Sequence, residues 1–282
     1  MRPITAETRI VGVAGRPVRH SLSPVIHNAW IEAAGLDAAY LAFAPPQHGF
    51  EALVNGLRGQ VVLGLNVTIP FKERAHALAD HRTPAAERAG AANLLTFGPD
   101  GGVSADNTDG AGLLGALAEA GGLVDLSPVV VLGAGGAARG AVLSLLDAGV
   151  TAIRLVNRSA ERAKAIAALD PRVTVLGWDQ AAWALDGVSA VINATSLGMT
   201  GQPPLALSLD RAPPSAVVVD MVYQPLKTEL LKAAEIRGHR TADGLSMLIA
   251  QARPSFEAFF GRPPPTDVDV RALCEQTLGR AG

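Results

Sequence analysis

The chain of 282 residues contains one cysteine, Cys274, so no disulfide can form within it. A single thiol suits a reducing compartment, and the cytoplasm is the expected location. Aromatic residues make up only 4% of the sequence, so Ala, Val, Leu and Ile must pack the cores. The formal charge is -2 and Lys and Arg are scattered, so the basic stripe that nucleic acid or an anionic membrane would need is missing. No long apolar run follows the first residues, and a secretory leader is not expected. The uncharged stretch 187–209 is interrupted by Asn193, Thr195, Ser196, Gln202 and prolines, which excludes it as a membrane span. The six histidines form no ligand spacing, so no metal site is expected.

What is present is an alternation of β-rich runs with Ala/Leu-rich helical stretches. Strands are predicted over 10–14, 39–42, 61–67, 128–132, 153–157, 190–194 and 216–220. Helices over 24–34, 137–148 and 160–169 show apolar residues at three- and four-residue spacing. This pattern implies parallel sheets covered by helices. One boundary is expected within 109–126, where a helix ends in Gly121–Gly122, and a second near Gly244. The tail beyond is too short to form a domain and should return to the first half. The expected class is α/β with two α/β domains: residues 1–109 with 245–282, and residues 110–244 as a Rossmann-type doubly wound parallel sheet.

The segment VVVLGAGGAARGAV, residues 129–142, runs from a β-branched strand through Gly133, Ala134, Gly135 and Gly136 into a helix beginning near Ala137. Glycine allows a tight turn and lets the backbone approach a pyrophosphate at a helix N-terminus, where free N–H groups and the helix dipole favour anions. Ala138 replaces the last glycine of the usual GxGxxG pattern. The end of the following strand normally carries an acid for the ribose 2′-hydroxyl of NAD. Here it carries Asn157 and Arg158, with Arg162 one helical turn later. Two guanidiniums can pair with a 2′-phosphate that a carboxylate would repel, so NADP is the expected cofactor.

Three polar clusters occupy the first half: Ser21 and Ser23 in GRPVRHSLSPVIHN, Thr68 and Lys72 in GLNVTIPFK, and Asn93 with Asp109 of DNTDG. Together their hydroxyls, amide, ammonium and carboxylate suit a small anionic polyol. Singly, Ser23 could be a helix N-cap, Lys72 a solvated cation and Asp109 a turn or cap residue. Lys72 could act as general acid for ketone reduction by a nicotinamide, and as base in reverse.

In these motifs, and in NATSLGM (193–199), DMVYQP (220–225) and GLSMLIAQA (244–252), the chain resembles the shikimate dehydrogenase family. The motifs occur in the family's order from residue 15 to residue 252. The resemblance implies NADPH-dependent interconversion of 3-dehydroshikimate and shikimate in chorismate and aromatic amino acid biosynthesis, with Lys72 and Asp109 catalytic. It implies a substrate carboxylate held by Ser21, Ser23 and Tyr223, and hydroxyls bound by Thr68, Lys72, Asn93, Asp109 and Gln251. Cofactor contacts are implied at residues 133–137, Asn157, Arg158, Arg162, Thr195, Met221 and Gly244. Ala92 and Leu94 flank Asn93 where family members often have valine and threonine. A homodimer is compatible with the sequence. Two alternatives stand beside this reading: an NAD-linked quinate/shikimate dehydrogenase, and a non-catalytic nucleotide-binding regulator on the same scaffold.

Overall fold

The computed structural model describes residues 3–122 and 128–280. The chain divides into two compact units, residues 1–108 with 251–282 and residues 109–250. Part of the first expected boundary, residues 123–126, lies outside the described residues.

The first unit opens with β1 (Arg9–Ala14), α1 (Ser23–Ala33), β2 (Ala38–Phe43), α2 (Phe50–Leu57), β3 (Val62–Val67) and α3 (Lys72–Leu78). β4 (His81–Arg82), α4 (Pro84–Ala89), β5 (Leu94–Phe97) and β6 (Val103–Asp106) follow. The sheet order is β2-β1-β3-β5-β6-β4. β1 pairs in parallel with β2 and β3, whereas β5 runs antiparallel to both β3 and β6. The alternation in the sequence predicts parallel strands only; the β5–β6 pair is a short hairpin across Gly98–Gly102 that the helix–strand rhythm does not reveal. Proline starts α4 behind its N-cap, Thr83, whose hydroxyl accepts the Ala86 N–H.

The second unit begins with α5 (Asp109–Glu119), β7 (Val129–Leu132), α6 (Gly136–Asp147), β8 (Ile153–Val156), α7 (Ala160–Ala167) and β9 (Val173–Leu176). It continues with β10 (Ala190–Asn193), β11 (Val217–Asp220), α8 (Glu229–Ile236) and β12 (Arg240–Ala242). All six strands pair in parallel in the order β12-β11-β10-β7-β8-β9. β7 is buried on both faces. Val129 and Val131 pack with Leu113 of α5 and Val142 of α6, while Val130 and Leu132 pack with Leu230 and Leu231 of α8. A period of two directs alternate residues to opposite layers, which accounts for the unbroken apolar run of this strand. The order reverses between β7 and β10, creating the switch point at which open α/β sheets bind ligands beyond their strand C-termini.

α9 (Gly244–Phe260) carries the chain from the second unit into the first, where α10 (Val270–Arg280) packs on α1. Among the described residues no helix is long and apolar enough to cross a membrane.

Candidate active site

In the second unit, β7 is followed by Gly133, whose φ of +108° lies in the region that favours glycine. A Cβ at this position would also come within 3.0 Å of Thr195 Cγ2 and 3.1 Å of the Ala194 carbonyl oxygen. The turn therefore lies directly against the loop that follows β10. Gly135 is the N-cap of α6 and supplies no side-chain cap, and the first turn carries no acid. The helix thus presents uncapped N–H groups.

These elements border a cavity of about 420 Å³. Gly133, Ala134 and Gly135 form one wall; Asn157, Arg158 and Arg162 form another; residues 194–197 complete a third. Among the described residues no carboxylate lines it. Asn157 Nδ2 donates to the Ser159 carbonyl at 2.9 Å, fixing the bend at which Arg158 stands exposed. A helix N-terminus, open space beside Gly135 and Gly136, and two guanidiniums suit an anionic dinucleotide carrying an additional phosphate.

Seven of the sequence-predicted cofactor residues thus share one cavity: Gly133, Ala134, Gly135, Asn157, Arg158, Arg162 and Thr195. Gly136 and Ala137 lie in the exposed start of α6, outside its lining. Met221 and Gly244 are not part of the lining either, but they touch each other. A Cβ on Gly244 would collide with the Met221 carbonyl oxygen, and the Gly244 N–H donates to the Val222 carbonyl at 3.2 Å. Trp178, which opens a 3-10 turn after β9, also lines the cavity and was not signalled by the sequence. Tyr223, two residues beyond Met221, is partly buried, and burial pushes its phenol above the ordinary value.

In the first unit, α1 starts at Ser23, with Leu22 as N-cap and no side-chain cap. Ser21 Oγ instead accepts the Ser23 N–H at 3.3 Å. Ser21 is half-buried and Ser23 buried. Thr68 follows β3, its N–H donating to the Ala14 carbonyl at 2.9 Å, and a proline turn with a cis Ile69–Pro70 bond leads to Lys72, half-buried at the start of α3. Asp109 stands at the start of α5, half-buried, in the second unit.

Asn93 is buried and held on both sides of its amide. Its Nδ2 donates to Thr108 Oγ1 at 3.0 Å and Gln251 Oε1 at 3.3 Å, while its Oδ1 accepts the Thr108 N–H at 2.8 Å. A second buried chain runs alongside. Tyr40 donates its hydroxyl proton to Asn66 Oδ1 at 2.9 Å; Asn66 Nδ2 donates to Ser255 Oγ at 2.9 Å and to the Asn93 carbonyl at 3.2 Å. Ser255 Oγ donates to the Gln251 carbonyl at 3.2 Å. The structure therefore brings Asn93 and Gln251 into contact, with Tyr40, Asn66, Thr108 and Ser255 as additional members. Asn66, a polar residue in the apolar strand of GLNVTIPFK, was a usable signal, and Thr108 lies within the polar run DNTDG between β6 and α5; Tyr40 and Ser255 gave none.

His27 belongs to the core. Its ring stacks on Tyr40 at 4.3 Å, neither nitrogen has a hydrogen-bond partner among the described residues, and burial pushes its pKa down to about 3. His20 is exposed.

Three family models match the chain. They describe the shikimate dehydrogenase substrate binding domain over residues 13–95, shikimate / quinate 5-dehydrogenase over 117–199, and the shikimate 5′-dehydrogenase C-terminal domain over 244–274. A shikimate dehydrogenase (NADP(+)) of Caulobacter vibrioides is 54% identical over 279 residues, covering 98% of each chain. Shikimate 5-dehydrogenase from Thermus thermophilus, in complex with NADP(H) and shikimate, superposes with a TM-score of 0.84 at 32% identity, covering 97% of this chain and 100% of that one. Quinate dehydrogenase from Corynebacterium glutamicum, in complex with NAD, has a TM-score of 0.87 at 28% identity, covering 96% of this chain and 99% of that one. With motifs, strand order and full-length relatives in agreement, the chain belongs to the shikimate dehydrogenase family.

Proposed function

We propose that this protein catalyses the reversible NADPH-dependent reduction of 3-dehydroshikimate to shikimate, a step toward chorismate and the aromatic amino acids. The observation that carries the reading is the single cavity in which the glycine turn meets Arg158 and Arg162 with no carboxylate among its described lining residues. Residues 110–244 bind the dinucleotide in this proposal, and residues 1–109 with 245–282 bind the substrate. The cofactor residues are Gly133, Ala134, Gly135, Gly136, Ala137, Asn157, Arg158, Arg162, Thr195, Met221 and Gly244.

NADPH, when bound, supplies hydride to the substrate's carbonyl carbon. Lys72 delivers the proton to the nascent alkoxide and removes it in the reverse direction; its ammonium also stabilises the developing negative charge on oxygen. Asp109 is the second catalytic residue. Ser21, Ser23 and Tyr223 hold the substrate carboxylate, while Thr68, Asn93 and Gln251 join Lys72 and Asp109 in binding hydroxyls. The direct Asn93–Gln251 contact supports placing these two amides in one subsite. A lone cysteine and NADPH dependence support a cytoplasmic location.

The test is loss of NADPH absorbance with 3-dehydroshikimate, beside parallel assays with dehydroquinate and with NADH. Faster turnover of dehydroquinate with NADH would replace this reading with the quinate-type alternative. No turnover in any arm would support the non-catalytic one.

A further inference from the structure

One wall of the dinucleotide cavity, residues 194–197, is a loop with no helix or strand to impose its shape. Its conformation is tied to a buried carboxylate. Asp220, the last residue of β11, is wholly buried. It accepts hydrogen bonds from Asn193 Nδ2 at 2.9 Å, Thr228 Oγ1 at 2.6 Å and the Val222 N–H at 3.0 Å. Asn193, at the matching end of β10, is also wholly buried and pairs in register with Asp220. Its Nδ2 donates further to the Leu197 carbonyl at 3.2 Å, and its Oδ1 accepts both the N–H and the hydroxyl of Thr195, at 3.0 and 2.7 Å. With that proton committed, Thr195 Oγ1 accepts the Leu197 N–H at 3.1 Å. Thr195 and Ala194 are the residues against which Gly133 closes.

A carboxylate is costly to bury, and its neighbours on β11, Val217–Val219, show that the strand otherwise takes apolar residues. What it supplies is direction. Every group that faces it donates, an amide NH₂, a hydroxyl and a backbone N–H, so as acceptor it turns the Asn193 NH₂ toward β11 and leaves the Asn193 oxygen for Thr195. A neutral amide at position 220 could present its own NH₂ to Asn193, in competition with the orientation that the Thr195 N–H and the Leu197 carbonyl require.

We propose that Asp220 is a positioning residue for the dinucleotide, holding the 194–197 wall in its receiving shape through Asn193 and Thr195. This inference rests on the cofactor reading above. Its test compares the wild type, Asp220→Asn, and Val218→Ala, a buried change on the same strand that touches none of these hydrogen bonds. Each is titrated with NADPH by fluorescence, melted, and followed by amide hydrogen exchange without ligand. Asp220→Asn is expected to raise the NADPH dissociation constant on the order of 10-fold, through weakening of the hydrogen bond that orients Asn193. Exchange at Thr195 and Leu197 should quicken. Val218→Ala should lower the melting temperature and do neither. If Asp220→Asn does not fold, Thr228→Val removes one donor to Asp220 together with the N-cap of α8, and should show the same faster exchange at Thr195 and Leu197 with a smaller loss of affinity. Unchanged affinity and exchange, or an equal loss in Val218→Ala, overturns the inference alone. A wild type that binds no NADPH overturns the cofactor reading and the inference together.

Discussion

The two units present their candidate residues in different physical ways. In the second unit the cavity is shaped largely by main chain, at a glycine turn, an uncapped helix start and a loop, while its two cations stand exposed at the rim. In the first unit Asn93 and Gln251 are themselves core residues, knit to Tyr40, Asn66, Thr108 and Ser255 by buried hydrogen bonds. Exposed arginines can be removed without leaving an unpaired partner inside the protein. A buried amide cannot, because its partners lose their hydrogen bonds in a medium that offers no water. Binding and stability should therefore separate at the exposed arginines of the second unit and remain coupled at the buried amides of the first.

The largest expected effect lies outside this contrast and sharpens it. Lys72 is half-buried at a helix start, and Lys72→Ala should lower kcat by about 10²–10⁴-fold, far more than it raises KM. Survival of turnover with a raised KM would make Lys72 a binding residue. In the second unit, Arg158→Ala should weaken NADPH binding by about 1.5–3 kcal/mol, with NADH binding and the melting temperature nearly unchanged. Equal losses for both cofactors would remove Arg158 from the 2′-phosphate.

For the first unit, acid offers a test. His27 has a folded pKa of about 3 against an ordinary value of 6.5, because burial disfavours its charged form. The unfolded chain therefore binds the extra proton first. The stability is fully present above about pH 6.5 and is lost as pH falls toward 3, at roughly 1.4 kcal/mol per pH unit. At pH 5 this amounts to about 2 kcal/mol, and His27→Leu should abolish that part of the acid sensitivity in denaturant titrations. Identical pH dependence in the two proteins would refute the assignment. The smallest effect belongs to Tyr40→Phe, expected to cost about 0.5–1.5 kcal/mol of folding stability and to raise the KM for shikimate together with it. A loss of stability with unaltered shikimate kinetics would break the coupling claimed for this unit.

Legibility in the sequence followed the same division. The strand–turn–helix of residues 129–142 and the Asn157-Arg158 pair could be read directly, because turn chemistry and periodicity act over a few residues. The capping alternative for Ser23 could be weighed but not decided; the structure makes Leu22 the N-cap and gives Ser21 the Ser23 N–H instead. Trp178 was invisible as a cavity residue, since half-buried tryptophans beside a strand are ordinary.

What the sequence determined by itself was the α/β rhythm, the glycine turn, the character of the cofactor-selecting strand end and the ordered motifs of the family. Each is a local property of propensity, periodicity or residue chemistry. Tertiary structure alone decided that β10 lies beside β7, so that residues 194–197 face Gly133, and that β5 and β6 run antiparallel. It alone joined Asn93 to Gln251 across 158 positions and Asn66 to Ser255 across 189. Such pairings depend on which strands and helices share a core, a choice settled by the burial of the whole chain, which no short window of residues encodes.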